Sequence, residues 1–108
     1  MAYGRFAVAV LAANTDTVVY TVPDNCLYAE LTINVLNPDT VDATAKMAVS
    51  AADTPVANEY IENGVILPAN GGILERASLI ASPGERIVVR STLATTVVRV
   101  SGKTVINA

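Results

Sequence analysis

The sequence predicts an all-β fold: a single β-sandwich of about eight short antiparallel strands, either jelly-roll or immunoglobulin-like. Short runs rich in Val, Ile, Thr and Tyr recur along the chain, separated by Asn, Asp, Gly and Pro. No segment keeps apolar residues at helical spacing for more than about one turn. The 108 residues are 52% hydrophobic, 16% charged and only 5% aromatic, so we expect a core of Val, Ile, Leu and Ala.

The clearest predicted strand covers residues 27–36, where apolar and polar side chains alternate. Leu27, Ala29, Leu31, Ile33 and Val35 should face the core, while the residues between them face a wetter side. Pro23 and Pro38 flank this segment. Strand pairing is expected to stop at them, because proline has no amide donor. The other predicted strands cover residues 5–11, 17–22, 45–51, 73–80, 85–91 and 96–105.

Three turns are predicted in the second half of the chain. Asn63-Gly64 lies between YIE and VIL and predicts a β-hairpin. Asn70-Gly71-Gly72 predicts a tight connection with positive φ, and Ser82-Pro83-Gly84 predicts another turn. A phosphate-binding loop at 70–72 is disfavoured, because neither a lysine nor a helix signal follows the glycines.

We expect one domain over residues 1–108, since no low-complexity linker or charge block divides the chain. Residues 6–13 are interpreted as the first strand instead of a signal-peptide core, and no segment is long enough to span a bilayer. Residues 1–11 and 103–108 are candidate assembly arms, either of which could add a strand to a neighbour's sheet edge.

The composition disfavours several kinds of function. The net charge is -3 and the seven basic residues are scattered, so neither nucleic acid nor membrane is expected as a partner. Cys26 is the only cysteine and there is no histidine, which disfavours a disulfide, an activated nucleophile and a zinc site. Candidates for the carboxylate pair of a glycoside hydrolase are Glu59, Glu62 and Glu75. The sequence does not fix the distance between them, on which that chemistry depends. We expect no enzymatic activity, no cofactor and no metal.

A set of arginines and apolar residues forms the candidate partner interface. Arg86 and Arg90 share one face of their strand, and Arg99 follows on the next strand. If these two strands pair, the arginines lie on one face, where they meet water, nearby glutamates or an acidic partner chain. The candidate interface residues are Arg86, Arg90, Arg99, Phe6, Val8 and Val10.

Six short segments occur in an order and spacing more specific than any one of them: LAANTDT at 11–17, YTVP at 20–23, EYIE at 59–62, LPANG at 67–71, LER at 74–76 and GERIVVRS at 84–91. The series resembles small virion structural proteins of tailed bacteriophages, and the likeness covers most of residues 11–102. That group includes head decoration (cement) proteins and tail- or fibre-associated β-sandwich proteins. The chain departs from the pattern at Gly72, at the Asn63-Gly64 turn and over residues 103–108.

The resemblance implies a non-enzymatic building block located in the virion. Its expected partners are the major capsid protein or other virion chains. The leading expectation is a capsid decoration protein that binds and stabilises the major capsid lattice. A tail, baseplate or fibre protein is the alternative within the same class. A carbohydrate-binding module for host attachment is the alternative of another class, disfavoured by the few aromatic residues. The apolar composition adds the expectation of a homo-oligomer, a dimer or trimer.

Overall fold

A computed structural model describes residues 2–106, which form eight β-strands and one 3-10 turn at Ala57–Glu59. The strands are β1 (Ala2–Val10), β2 (Thr17–Thr21), β3 (Cys26–Asn37), β4 (Ala43–Ser50), β5 (Tyr60–Leu67), β6 (Gly72–Ala81), β7 (Arg86–Ser91) and β8 (Val97–Ile106).

The strands form two four-stranded antiparallel sheets that make a β-sandwich, as the sequence predicted. Sheet A has the order β1-β8-β3-β6, and sheet B has the order β2-β7-β4-β5. The pairing is nested: β1 pairs with β8, β2 with β7, β3 with β6 and β4 with β5, alternating between the two sheets. Of the two predicted topologies, this strand order is the jelly roll.

The core lies between the two sheets and consists mainly of aliphatic side chains. On β3 the predicted alternation is confirmed from Ala29 to Val35, with Leu31 and Ile33 fully buried against the facing sheet. Leu27 is the exception, being 52% exposed, because the register shifts between Cys26 and Tyr28 and breaks the alternation. Met47 and Ile87 are fully buried members of the same core on the sheet B side.

The predicted hairpin at Asn63-Gly64 is wrong, because β5 runs through these residues without turning. Val65 lies opposite Ala45 and Asn63 lies opposite Lys46, so Gly64 is an extra residue in the ladder. Its φ is 79°. A glycine with positive φ serves a β-bulge as readily as a two-residue hairpin, and the two cannot be distinguished from the dipeptide alone.

The glycine-rich connection before β6 is a turn, as predicted. Asn70 and Gly71 have φ values of 62° and 100°. The Gly71 amide donates to the Asn37 carbonyl oxygen at 2.7 Å, tying this turn to the end of β3. The buried side chain of Asn37 donates through Nδ2 to the carbonyl oxygens of Val41 (2.9 Å) and Leu67 (3.1 Å). These residues hold the connections at one end of the sandwich together.

Candidate protein-binding face

Arg86 and Arg90 share a face, as predicted, but Arg99 lies on the opposite side of the sandwich. β7 pairs with β2 and β4 in sheet B, whereas β8 pairs with β1 and β3 in sheet A. The condition for grouping Arg99 with them, pairing of these two strands, is therefore not met, because the nested jelly-roll order sends consecutive strands to different sheets. Arg86 and Arg90 lie on the outer face of sheet B, and Arg99 lies on the outer face of sheet A.

Arg86 is bound to the connection between β4 and β5. Its Nε lies 2.9 Å from a carboxylate oxygen of Asp53, and its Nη1 donates to the Ala51 carbonyl oxygen at 2.6 Å. At 2.9 Å the ion pair is short enough to be a hydrogen bond, so the Arg86 guanidinium is already bound within the chain. Arg86 thus fixes the start of this connection against β7.

Glu59 closes the same connection. Its carboxylate accepts hydrogen bonds from the Val56 amide (2.9 Å), the Ala51 amide (3.0 Å) and the Ser50 hydroxyl (3.0 Å). These donors, with the Val56 amide first, lower the pKa of Glu59 below its usual 4.5, because they stabilise the ionised carboxylate. Glu59 therefore stabilises the connection through contacts with both of its ends.

The remaining cations on the outer face of sheet B also have partners within the chain. Arg90 Nη1 lies 3.8 Å from an Asp16 carboxylate oxygen, an electrostatic contact longer than a hydrogen bond. Lys46 places its Nζ 5.7 Å from the centre of the Tyr60 ring, a cation–π contact. Each of the three cations on β4 and β7 therefore contacts a partner in the same chain: Lys46, Arg86 and Arg90.

Two apolar residues in the middle of this outer face are buried. Ala48 and Val88 lie opposite each other in the ladder between β4 and β7, on the side away from the core. Their exposed fractions are nevertheless 0% and 2%. The centre of the outer face of sheet B, where β4 and β7 pair, is therefore covered by the chain itself.

The outer face of sheet A is open. Two rows of directly opposed residues cross its four strands, and both rows lie on one side because opposed residues in a ladder share a face. The apolar row is Val10, Val97, Leu36 and Ile73, and the mixed row is Val8, Arg99, Asn34 and Glu75. Val8, Val10 and Ile73 are 50%, 65% and 64% exposed. A shallow groove of about 420 Å³ runs between the two rows.

The mixed row carries one cation, Arg99, and one anion, Glu75. Among residues 2–106, neither Arg99 nor Glu75 forms an ion pair. They flank Asn34 on adjacent strands, which separates them by about 10 Å across the sheet. By contrast, Lys103 and Glu30 on the same face lie 3.8 Å apart. The groove thus combines exposed aliphatic side chains with one cation and one anion that form no ion pair with any residue the structure describes.

The structure brings together some of the predicted interface residues and separates others. Val8 and Val10 lie on the open face with Arg99. Phe6 does not, because it is the extra residue of a bulge in β1, and its ring stacks on Tyr20 with centroids 5.2 Å apart. Sequence reasoning missed the β3 and β6 side of the face. One signal was present: Leu36 places an apolar residue on the predicted wet side of β3.

The two predicted arms behave as parts of sheet A in the isolated chain. β1, which contains most of residues 1–11, is an edge strand paired with β8 from Ala2 to Val10. Residues 103–106 belong to β8. Met1 and residues 107–108 lie outside the described residues. The described part of each segment therefore already has a partner strand.

The carboxylates considered for catalysis lie in separate places. Glu59 binds the β4–β5 connection, Glu62 pairs with Arg76 at 3.4 Å, and Glu75 lies on the open face. Within residues 2–106, no group of three or more His, Cys, Asp or Glu side chains is placed to hold a metal ion. No helix of that segment is long and apolar enough to cross a membrane.

Comparison with known proteins gives no match: no protein-family model, no curated protein and no solved structure is significantly similar to this chain. What the chain does must therefore be inferred from its own residues and surface.

Proposed function

We propose that this chain is a structural protein of a bacteriophage particle, most specifically a decoration protein that stabilises the major capsid lattice. The observation that carries the proposal is the open outer face of sheet A, where exposed aliphatic residues surround an arginine and a glutamate that form no ion pair within residues 2–106. Such a face fits burial against another protein chain, because exposed apolar patches with a charged component are typical of protein interfaces.

The shape of the face supports binding to a protein over binding to a small substrate. Sites for small molecules are usually deep concavities in which several polar groups converge. The groove here lies on the surface of a sheet, and two of its walls are the exposed side chains of Val8 and Ile73. A second protein surface fills such a shape more completely than a small ligand does.

The placement in a phage particle is supported by the series of segments between residues 11 and 102. The jelly roll itself does not decide, because viral capsid proteins and lectins both use it. A carbohydrate-binding function would require rings that are free to stack on sugars. Two of the tyrosines are already used: Tyr20 stacks on Phe6, and Tyr60 lies beneath Lys46.

The proposed mechanism is additive. Many copies each contribute a modest contact, and their simultaneous attachment to a repeating lattice holds the assembly more strongly than one contact does. Such a protein needs no catalytic residue and no cofactor.

Removing the gene from the phage tests the function. The proposal expects particles without this chain to keep intact tails but to lose resistance to heat and low salt, with recovery when purified protein is added back. Particles that remain equally robust contradict the decoration function. Robust heads with defective tails assign the chain to the tail, and a specific glycan-array signal for the purified protein supports the carbohydrate-binding alternative.

A further inference from the structure

We infer that the chain covering the outer face of sheet A is a second copy of this protein, packed face to face about a two-fold axis parallel to the strands. The inference rests on the proposed function, because it names the partner on that face and makes a dimer the unit that enters the particle.

The charge pattern of the mixed row is complementary to itself. A two-fold interface brings the same patch together twice, so any charge on it must find its opposite within the same patch. Glu75 and Arg99 lie in one row, on either side of Asn34. Rotation about the axis reverses the strand order and places Arg99 of each copy beside Glu75 of the other.

The apolar row fits the same operation. An axis between β8 and β3 lays β1 over the partner's β6 and β8 over the partner's β3. Rotation about an axis parallel to the strands does not move residues along them, so each row meets the same row. Val10 then lies over Ile73 of the second copy, and Val97 lies over Leu36 of the second copy. All four members of the row become covered.

The groove offers space for the arginine. Asn34 lies between the Arg99 and Glu75 side chains in the lining of the groove. In the two-fold arrangement, Arg99 of the second copy enters the groove above Asn34, within reach of its side-chain oxygen and of Glu75. The two arginines meet near the axis, and each is flanked by a glutamate of the other copy. Each arginine therefore has one glutamate of the other copy beside it, in the same row.

The outer face of sheet B lacks these properties. Its arginines are paired with Asp53 and Asp16, and its central residues Ala48 and Val88 are already buried. These arginines already have acidic partners in the same chain, so this face offers a second copy less unpaired charge.

The expected affinity follows from the size of the face. Four strands at about 4.8 Å spacing make it roughly 19 Å wide, which places the interface at the small end of stable protein contacts. We therefore expect a dissociation constant on the order of micromolar, so that sedimentation velocity from about 1 to 500 µM spans the monomer–dimer transition.

Charge reversal with mixing tests the inference. Arg99→Glu places two glutamates opposite each other in both contacts, and Glu75→Arg places two arginines there. Each variant alone should remain monomeric throughout the range in which the unaltered protein dimerises. An equimolar mixture of the two variants should form heterodimers, because every contact then joins a glutamate to an arginine.

Controls separate loss of binding from loss of fold. Both residues are exposed, so each variant should keep the circular dichroism spectrum and melting temperature of the unaltered protein. Arg90→Glu reverses the same charge on the outer face of sheet B and should leave dimerisation unchanged. Variants that dimerise alone, or that fail to associate when mixed, overturn the inference.

The outcome is distinguishable from failure of the proposed function. A monomeric unaltered protein that still stabilises particles overturns the dimer and leaves the decoration function standing, with the capsid lattice itself as the partner of this face. A protein that dimerises as described but has no effect on particles supports the dimer and contradicts the decoration function.

Discussion

The two outer faces of the sandwich carry similar residues but use them differently. Sheet B presents Arg86 and Arg90 beside Val88, and sheet A presents Arg99 beside Val8 and Val97. On sheet B the arginines bind acidic residues of the same chain and the valine is buried. On sheet A the arginine has no ion pair among the described residues and Val8 is half exposed. The residue types on a face therefore do not distinguish a binding face. What distinguishes it is whether its charged and apolar side chains already have partners within the chain.

The β4–β5 connection contributes to this difference. Arg86 binds this connection through the Ala51 carbonyl oxygen and the Asp53 carboxylate. Within the connection, Glu59 accepts a hydrogen bond from the Val56 amide. An arginine used in this way stabilises the fold and is not available to another chain. The same kind of substitution should therefore affect folding on one face and association on the other.

The largest expected contrast comes from placing a carboxylate on each face. Val88→Asp buries a charge in the covered face and should lower the free energy of unfolding by about 3 kcal/mol or more. Val8→Asp adds the same charge at a half-exposed position and should cost less than about 1 kcal/mol. Urea denaturation of the two variants measures both values. Equal losses would show that the two faces are not differently covered.

Removing an arginine from each face should give a smaller contrast. Arg86→Ala loses a surface ion pair and a hydrogen bond to the Ala51 carbonyl, for about 1 kcal/mol of unfolding free energy. Arg99→Ala should change stability by less than about 0.5 kcal/mol, because no side-chain hydrogen bond or ion pair to a described residue is lost. Amide hydrogen exchange adds a local readout: the Val56 amide should exchange faster in Arg86→Ala only. Faster exchange in both variants would contradict the assignment.

The smallest effect is the pH dependence of the β4–β5 connection. Because the folded-state pKa of Glu59 is depressed, its contribution to stability is present above about pH 4.5 and is lost as pH falls through the folded-state value. Glu59→Gln should therefore have a lower melting temperature near neutral pH and a weaker loss on acidification. Melting curves between about pH 3 and pH 7 check this. Asp39, whose pKa is also lowered, chiefly by the Thr40 amide, titrates in both proteins and serves as the internal reference. Parallel curves for the two proteins would show that Glu59 does not carry the effect.

The sequence predicted the fold class because that information is local. The alternation on β3 predicts a strand, and Asn70 and Gly71 predict a turn, whichever strands they later pair with. The hairpin at Asn63-Gly64 failed because positive φ at Gly64 fits both a turn and a bulge, and the choice depends on pairing with β4. The grouping of Arg86 with Arg99 depended on pairing of the last two strands, and β7 and β8 lie in different sheets.

The candidate face was predicted only in part for the same reason. Val8, Val10 and Arg99 were identified on their own strands, but their juxtaposition with Ile73 and Glu75 depends on strand order, which is long-range information. Pairing of Arg86 with Asp53 joins residues 33 positions apart in the sequence. No pattern within either segment indicates it.

One pair of substitutions tests the central claim that the outer face of sheet A is the binding face. Ile73 and Ile66 are both 64% exposed and lie on the outer faces of sheets A and B. Sedimentation velocity should show that Ile73→Asp raises the dissociation constant of the dimer at least about tenfold, whereas Ile66→Asp changes it less than about twofold. Association that is unaffected by Ile73→Asp, or weakened equally by Ile66→Asp, would contradict the account.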